Sequence, residues 1–519
     1  MKFISRTAKS FFHSIRLQDF LIVTFGLSFL TEGLFLFFQE LFRHGNFPKF
    51  FYLLFFTLFG LYGIFFSQIQ TRKPFFQDFS LSGILFSSLY WLILSPIVFF
   101  KFYQLFLAYR PLPATFLSFI FLYRWKILPI IAVLYLLLLY FVWRFLLVPS
   151  YLNDGLSLRV SLQKSWQQRK LTIGLQLISF LVIPLLFLLS SLLLKVLFTL
   201  MAQLVATRTA GLSLLLLYQA CKSSLFTLFF LYLAFNNQAE AQHNSGKNYW
   251  LILPIIASLA LYGLTYTQRL TVKPPPIPQT ISHRGVSDDN ALQNSITALK
   301  RTSQTYHPDL VEMDVQETAD HQLVVMHDEN LKELAGKNLR VAETNWSQLK
   351  KLTLKENGYQ EKIPLFVDYL AEANKLQQKL LIELKVSAKT KETMIQQLLP
   401  LKDQLVGHQL QSMDLDTAQN LKKNFPKHKI GYILPFDLLG SPKTQLDFIN
   451  IEARTANRQL IQAIQQRKQG VYVWSINTSL QNQAFQLQAV DGLLSDKLTI
   501  LSPQSNSIKA KVVAALWIN

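Results

Sequence analysis

Residues 281–294 read Ile281-Ser-His-Arg-Gly-Val-Ser-Asp-Asp-Asn-Ala-Leu-Gln-Asn294, and they follow a proline-rich run, Val272-Lys-Pro-Pro-Pro-Ile-Pro278. Upstream of this junction the chain is dominated by Leu, Phe, Ile, Val and Tyr; downstream it has the composition of a soluble domain. A proline run cannot be helical, because proline lacks the amide donor and restricts the residue before it. It predicts an extended, semi-rigid spacer. The composition shift places a polytopic membrane domain at 1–268, the linker at 269–280, an α/β domain at 281–505 and a C-terminal tail at 506–519.

Beyond the linker, β-type runs alternate with helical patterns. Strands are expected at 280–283, 310–315, 322–327, 379–385, 408–412, 429–434, 448–452, 471–476 and 491–494, with helices between most of them, at 295–306, 366–377 and 416–425 among others. Alternation of this kind points to a parallel sheet, and eight or nine strands in about 240 residues fit a TIM-type (β/α)8 barrel. The runs 310–315 and 322–327 are separated by a turn too short for a helix, so the barrel is expected to be irregular near strands 2 and 3. Residues 330–365 show no clear strand and read as an inserted lobe.

Barrel enzymes carry their working groups at the C-terminal ends of strands. Here His283 and Arg284 end the first strand, Glu312 and Asp314 the second, His327 and Asp328 the third, and Glu383 and Lys385 the fourth. Residues two apart in a strand share a face, so Glu312 pairs with Asp314 and Glu383 with Lys385. Glu-x-Asp by itself is usually a solvated face, but the flanking Leu310, Val311 and Val315 are apolar. Buried carboxylates need a compensating cation or proton, and oxygen-only ligands select one hard divalent cation, Ca2+ or Mg2+. Two histidines at strand ends fit an acid–base pair, and Arg284 and Lys385 fit phosphate oxygens.

Taken in order, His-Arg-Gly at 283–285, Glu-x-Asp-Val at 312–315, Val-Val-x-His-Asp at 324–328, Glu-x-Lys at 383–385, Trp-Ser-Ile-Asn at 474–477 and Asp-Gly-Leu-Leu-Ser-Asp at 491–496 resemble the glycerophosphodiester phosphodiesterase family, in its multi-pass membrane-anchored bacterial branch. The resemblance implies metal-dependent hydrolysis of glycerophosphodiesters to glycerol 3-phosphate and an alcohol. It implies a metal on Glu312, Asp314 and Glu383, the pair His283 and His327 as acid and base, and a cyclic phosphate formed by the substrate's own hydroxyl. Arg284, Asn294, Lys385 and Trp474 fall to phosphate or substrate binding, with a barrel-core aromatic as the other reading of Trp474. The chain departs from the family pattern Pro-Glu-Asn-Thr, having Leu292-Gln293-Asn294-Ser295. Asn294 is kept, and Gln293 removes a negative charge near Arg284.

In the N-terminal half, apolar runs at 21–38, 50–68, 80–100, 127–148, 172–197, 210–235 and 249–266 approach the roughly 20 residues that a span needs, which makes an all-α domain of about seven spans. The basic stretches 1–16 and 148–170 then fall on the cytoplasmic side and the barrel on the extracytoplasmic side. The basic loop 101–126 opposes this, and a crossing at 115–122 would reverse the parity. Glu32, inside the first run and followed by Glu40 and Arg43, reads as a bundle-interior polar group or as a transport residue. The net charge of +20 is largely loop charge beside spans, so the expected partners are the lipid bilayer and a glycerophosphodiester or glycerophosphate polymer, not nucleic acid. A single cysteine, Cys221, excludes a disulfide framework. The rival readings are a lipid-handling or transport protein with a glycerophosphate-sensing barrel, and a phosphatidylinositol-type phospholipase. Oligomeric state is not legible.

Overall fold

The structure is a computed structural model. It describes residues 20–29, 60–66, 80–98, 123–168, 174–235, 252–271, 276–387, 390–434, 440–501 and 507–517, with positions 31, 57, 107, 112, 113, 116, 119, 120 and 437. The chain divides into two compact units, Met1–Tyr103 with Arg124–Val272, and Gln104–Tyr123 with Lys273–Asn519.

The first unit is helical. Among the described residues three stretches are long and apolar enough to cross a membrane, Trp125–Asn153, Leu185–Ala202 and Arg208–Leu231, and they overlap the expected runs 127–148, 172–197 and 210–235. The apolar helix Leu81–Pro96 is shorter, and Ile252–Thr271 is helical with Arg269 in its last turn. The expected run 21–38 is described only in part, as is 50–68. Glu32, Glu40, Arg43 and residues 1–16 lie outside the described residues, as do most of 115–122. Inside the unit, Tyr62, Phe66, Trp91, Phe226 and Phe230 pack as one aromatic cluster, with the Trp91 and Phe230 rings stacked at 4.8 Å. Leu185, Leu189, Leu192 and Leu193 are exposed. Such a leucine face is what lipid, rather than water, accommodates.

The second unit is an α/β barrel. Its strands are β1 (Gln279–Ser282), β2 (Leu310–Glu317), β3 (Leu323–Val325), β4 (Leu354–Glu356), β5 (Tyr359–Glu361), β6 (Leu380–Leu384), β7 (Gln409–Ser412), β8 (Lys429–Leu434), β9 (Phe448–Glu452), β10 (Gly470–Trp474) and β11 (Gly492–Ser495). Eight of them run parallel in the order β1-β11-β10-β9-β8-β7-β6-β2, and β1 pairs with β2 to close the ring. The surplus ninth candidate is β3, which is antiparallel to the end of β2 and lies outside the closed ring. The irregularity therefore sits where the short turn required it. The inserted region departs from the expectation of no strand: β4 and β5 form a separate antiparallel hairpin. Residues 508–517, expected as part of a tail, form the helix Ile508–Trp517, whose Val512, Val513 and Leu516 are buried.

Alternation along β2 and β6 sorts the side chains. Val311, Met313, Val315, Leu380, Ile382 and Leu384 join the outer core under the helices, while Leu310 and Leu381 join Ile281, Phe448, Tyr472 and Leu494 inside the barrel. The inward positions above that apolar plug are Glu312, Asp314 and Glu383. Register places Asp314 directly beside Glu383.

Candidate active site

The first loop carries the tightest geometry. β1 ends in a single turn, His283–Gly285, in which Arg284 has φ 54 and Gly285 φ 73. A side chain at 285 would bring its Cβ to 3.0 Å from the Tyr369 hydroxyl, so both the left-handed backbone and the close approach call for glycine. The loop closes back on itself through the Asn294 amide, which donates to the Arg284 carbonyl at 2.8 Å. Ser295 then caps the helix Ile296–Tyr306 by accepting from the Ala298 amide. This turn aims the backbone N–H of Arg284 at Glu312 Oε2, 2.8 Å away.

Glu312, Asp314 and Glu383 are buried, with carboxylate oxygens within 4.8 Å of one another. Burial, then the charges of Asp314 and Glu383, pushes Glu312 well above the ordinary carboxylate range. Burial raises Glu383 as well, with Asp314 adding to the rise and Lys385 opposing it. Asp314 is held low against its burial by Lys385, His327 and Arg284 and by a hydrogen bond from Asn294. Lys385 Nζ reaches Glu383 Oε1 at 3.1 Å and Asp314 Oδ1 at 3.4 Å, and those carboxylates raise it despite burial. One ammonium and one guanidinium do not neutralise three carboxylates and also bind a phosphate. A divalent cation fits this donor set.

His283 and His327 flank the cluster, each with Nδ1 tied down. His283 Nδ1 lies 2.7 Å from Asp496 Oδ1, and His327 Nδ1 lies 2.7 Å from Asp328 Oδ1. In both rings the anchored nitrogen leaves Nε2 as the nitrogen for chemistry. Asp496, whose other oxygen accepts from Asn477 Nδ2 at 2.6 Å, is held at about 2 against its burial by His283. Burial pushes the His327 imidazole below its ordinary value, although Asp314 opposes the shift. Gln316, inward-facing at the end of β2, donates from Nε2 to the carbonyls of Met326, His327 and Asp328 and so fixes the loop that carries His327.

Eight of the nine residues singled out from sequence, all but Asn294, line one cleft of ≈130 Å³ together with Gln411, Met413, Ile433, Asn450 and Leu494. Asn294 stands behind it: its Nδ2 donates to Asp314 Oδ2 at 2.8 Å and its Oδ1 accepts from the Asp314 amide at 3.1 Å. Trp474 ends β10 at the cleft, its Nε1 buried with no hydrogen-bond partner among the described residues. Asp328 and Asp496 stand inside the sequence motifs with no role assigned to them there. Gln316 and Asn477 carried no signal beyond their place at a strand end and in the Trp-Ser-Ile-Asn run.

The profile of the Glycerophosphoryl diester phosphodiesterase family matches residues 283–499. Bacillus subtilis YhdW, named provisionally as a glycerophosphodiester phosphodiesterase, is 27% identical over 229 residues, which cover 42% of this chain and 93% of that protein. Human lysophospholipase D GDPD1 is 38% identical over 69 residues, only 13% of this chain and 21% of its own length. Among solved structures, a glycerophosphodiester phosphodiesterase from Parabacteroides distasonis covers 42% of this chain and 93% of its own at 23% identity and a TM-score of 0.37. A phosphodiesterase from Oleispira antarctica, solved with the product sn-glycerol-3-phosphate, covers 44% and 96% at 22% identity and a TM-score of 0.39.

Proposed function

We propose that the protein, whose residues 283–499 match the profile of the glycerophosphoryl diester phosphodiesterase family, hydrolyses glycerophosphodiesters to glycerol 3-phosphate and an alcohol, from a barrel held at a membrane by its helical half. The observation that carries this reading is the ring around the cleft: two carboxylate-anchored histidines, two cations and three buried carboxylates. Glu312, Asp314 and Glu383 would hold one divalent cation, Ca2+ or Mg2+, which supplies positive charge to a phosphoryl group whose negative charge grows in the transition state.

The chain's own residues then divide the work. Arg284 and Lys385 bind the non-bridging phosphate oxygens. His327, whose neutral form burial favours, takes the proton of the substrate's neighbouring glycerol hydroxyl at Nε2. That oxygen bonds to phosphorus, the bond from phosphorus to the alcohol oxygen breaks, and His283 gives the departing oxygen a proton. The cyclic glycerol phosphate is opened by water with the two histidines in reversed roles. Asp496 and Asp328 hold the rings. Asn294 orients Asp314, and Trp474 offers its Nε1 to the glycerol end.

The bilayer is the expected partner, with the barrel on the extracytoplasmic side, where lipid headgroups and polyglycerophosphate polymers of the envelope are the candidate substrates. The test is turnover of glycerophosphocholine, glycerophosphoethanolamine and a polyglycerophosphate by the detergent-purified chain with Ca2+, Mg2+ or chelator. Release of glycerol 3-phosphate that chelator abolishes, and that is lost in His283→Ala, supports the reading. Metal binding without turnover of any diester overturns it in favour of a sensing barrel.

A further inference from the structure

The missing negative charge near Arg284 is present in the fold at another position. Arg284 Nη1 donates to Gln293 Oε1 at 2.7 Å. On the other side, Gln293 gives Glu356 two hydrogen bonds, from its Nε2 to Oε1 at 2.6 Å and from its backbone amide to Oε2 at 2.9 Å. We propose that Glu356, on the inserted hairpin, is the positioning residue for Arg284, and that it supplies through the Gln293 amide the negative charge that holds the guanidinium ready for phosphate. The inference rests on Arg284 as the phosphate ligand proposed above.

The physical argument begins with the amide. A glutamine side chain presents an acceptor or a donor depending on which way it is turned. A donor turned toward Arg284 would face another donor. Because Glu356 accepts from Nε2, only Oε1 is left for the arginine, and the carboxylate polarises the amide so that its oxygen accepts more strongly. Arg284 Nε, by contrast, is buried without a hydrogen-bond partner among the described residues, 4.0 Å from Asp314 Oδ2. One edge of the guanidinium is therefore anchored while its Nε side lies toward Asp314.

The hairpin is built to hold this charge still. Glu356 is followed by Asn357 and Gly358, both at positive φ, the two-residue turn that best matches strand twist. Two residues before it, Leu354 is buried in one apolar cluster with Leu292, the neighbour of Gln293. Asn357 Nδ2 adds a bond to Asp289 Oδ1 at 3.0 Å, which ties the hairpin tip to the same first loop.

The test measures inorganic phosphate affinity by calorimetry on the full chain in detergent, with KM and kcat for a glycerophosphodiester alongside. Glu356→Gln keeps one acceptor, for the Gln293 backbone amide, but turns a donor toward Gln293 Nε2, so it removes the charge together with the Nε2 hydrogen bond. It should weaken phosphate binding and raise KM by about 10-fold, the size of one charge-assisted hydrogen bond, and change kcat by less than about 3-fold. Moving the carboxylate inward, with Gln293→Glu added to Glu356→Gln, should bring phosphate affinity back to within about 3-fold of wild type, since the arginine then has a direct acidic partner. In an Arg284→Lys background, Glu356→Gln should have no further effect. An unchanged phosphate affinity in Glu356→Gln, or an equal loss in the Arg284→Lys background, overturns the proposal and leaves Glu356 as an anchor for the lobe. A chain that shows this phosphate pattern but cleaves no diester would refute the hydrolase reading and leave the relay standing.

Discussion

Replacing Glu312 with glutamine should stabilise the metal-free barrel while abolishing its response to metal. Two ionised carboxylates with oxygens within 4.8 Å of each other repel by at least about 3 kcal/mol at an effective dielectric of about 20, and Glu312 faces both Asp314 and Glu383. Burial and those two charges push Glu312 well above the ordinary carboxylate range and so favour its protonated form in the metal-free barrel. From the ordinary value of 4.5, protonating a carboxyl at pH 7 costs about 1.4 kcal/mol per pH unit, or roughly 3 kcal/mol. That sum is the ceiling on what Glu312→Gln can recover. At about 2–4 °C per kcal/mol for a domain of this size, the apo variant should melt up to about 10 °C higher. The sign follows from proton linkage. Glu312 titrates higher in the folded chain than in the unfolded one, so the fold binds more protons and loses stability as pH rises above 4.5. The advantage of the variant should therefore shrink toward zero as pH falls to that value. Tryptophan-monitored melts of the full chain in detergent with chelator, from pH 5 to pH 8, read this directly. Added Ca2+ or Mg2+ at about 100 Kd should stabilise wild type by about 2.7 kcal/mol and the variant by nothing. A metal-free variant that melts below wild type at pH 7, or a gap that does not close in acid, refutes the reasoning.

His283→Ala and His327→Ala should each lower kcat by about 10² to 10⁴, with phosphate affinity changed by only a few-fold, as measured by steady-state kinetics and calorimetry. In pH–rate profiles, the limb that vanishes in His327→Ala should lie below the ordinary histidine value, because burial lowers that pKa. Asp328→Asn should move it lower still, since the Asp328 hydrogen bond, after the Asp314 charge, is one of the two interactions that raise it. Trp474→Phe keeps the ring but removes the unpartnered Nε1, and should raise KM by about 3-fold to 10-fold with kcat little changed. Alkaline carbonate washing of membranes should leave the chain in the pellet, as three long apolar helices require.

The parts of the site that sequence exposes are those whose logic is local. Glu312 and Asp314 stand out because a strand puts i and i+2 on one face and their neighbours are apolar; Glu383 and Lys385 follow the same rule. Barrel topology was legible from the alternation of strands and helices, and even its surplus strand was, since the turn before β3 is too short for a helix. Other groups depend on the closed ring. Asp496 meets His283 across 213 positions because β11 pairs with β1 in parallel, and nothing near residue 496 announces a histidine. The hairpin escaped notice because its three-residue strands, Leu-Lys-Glu and Tyr-Gln-Glu, carry too little alternation to read as strands. Only Asn357-Gly358 marked it.

Gln293 carries the argument furthest. In one dimension it is an acidic residue lost from beside Arg284, and a charge deletion next to the cation proposed to bind phosphate invites a change of substrate. In three dimensions the amide is a bridge between two charges, Arg284 at 2.7 Å and Glu356 at 2.6 Å. What Arg284 responds to is the field at its guanidinium, and a carboxylate one hydrogen bond farther out still contributes to it, attenuated by distance. The departure from the family pattern therefore leaves the sign of the field unchanged and moves its source from the first loop onto the inserted lobe. A change of substrate preference then need not follow from Gln293 alone; it should follow from any substitution that displaces the hairpin, Leu354→Ala among them.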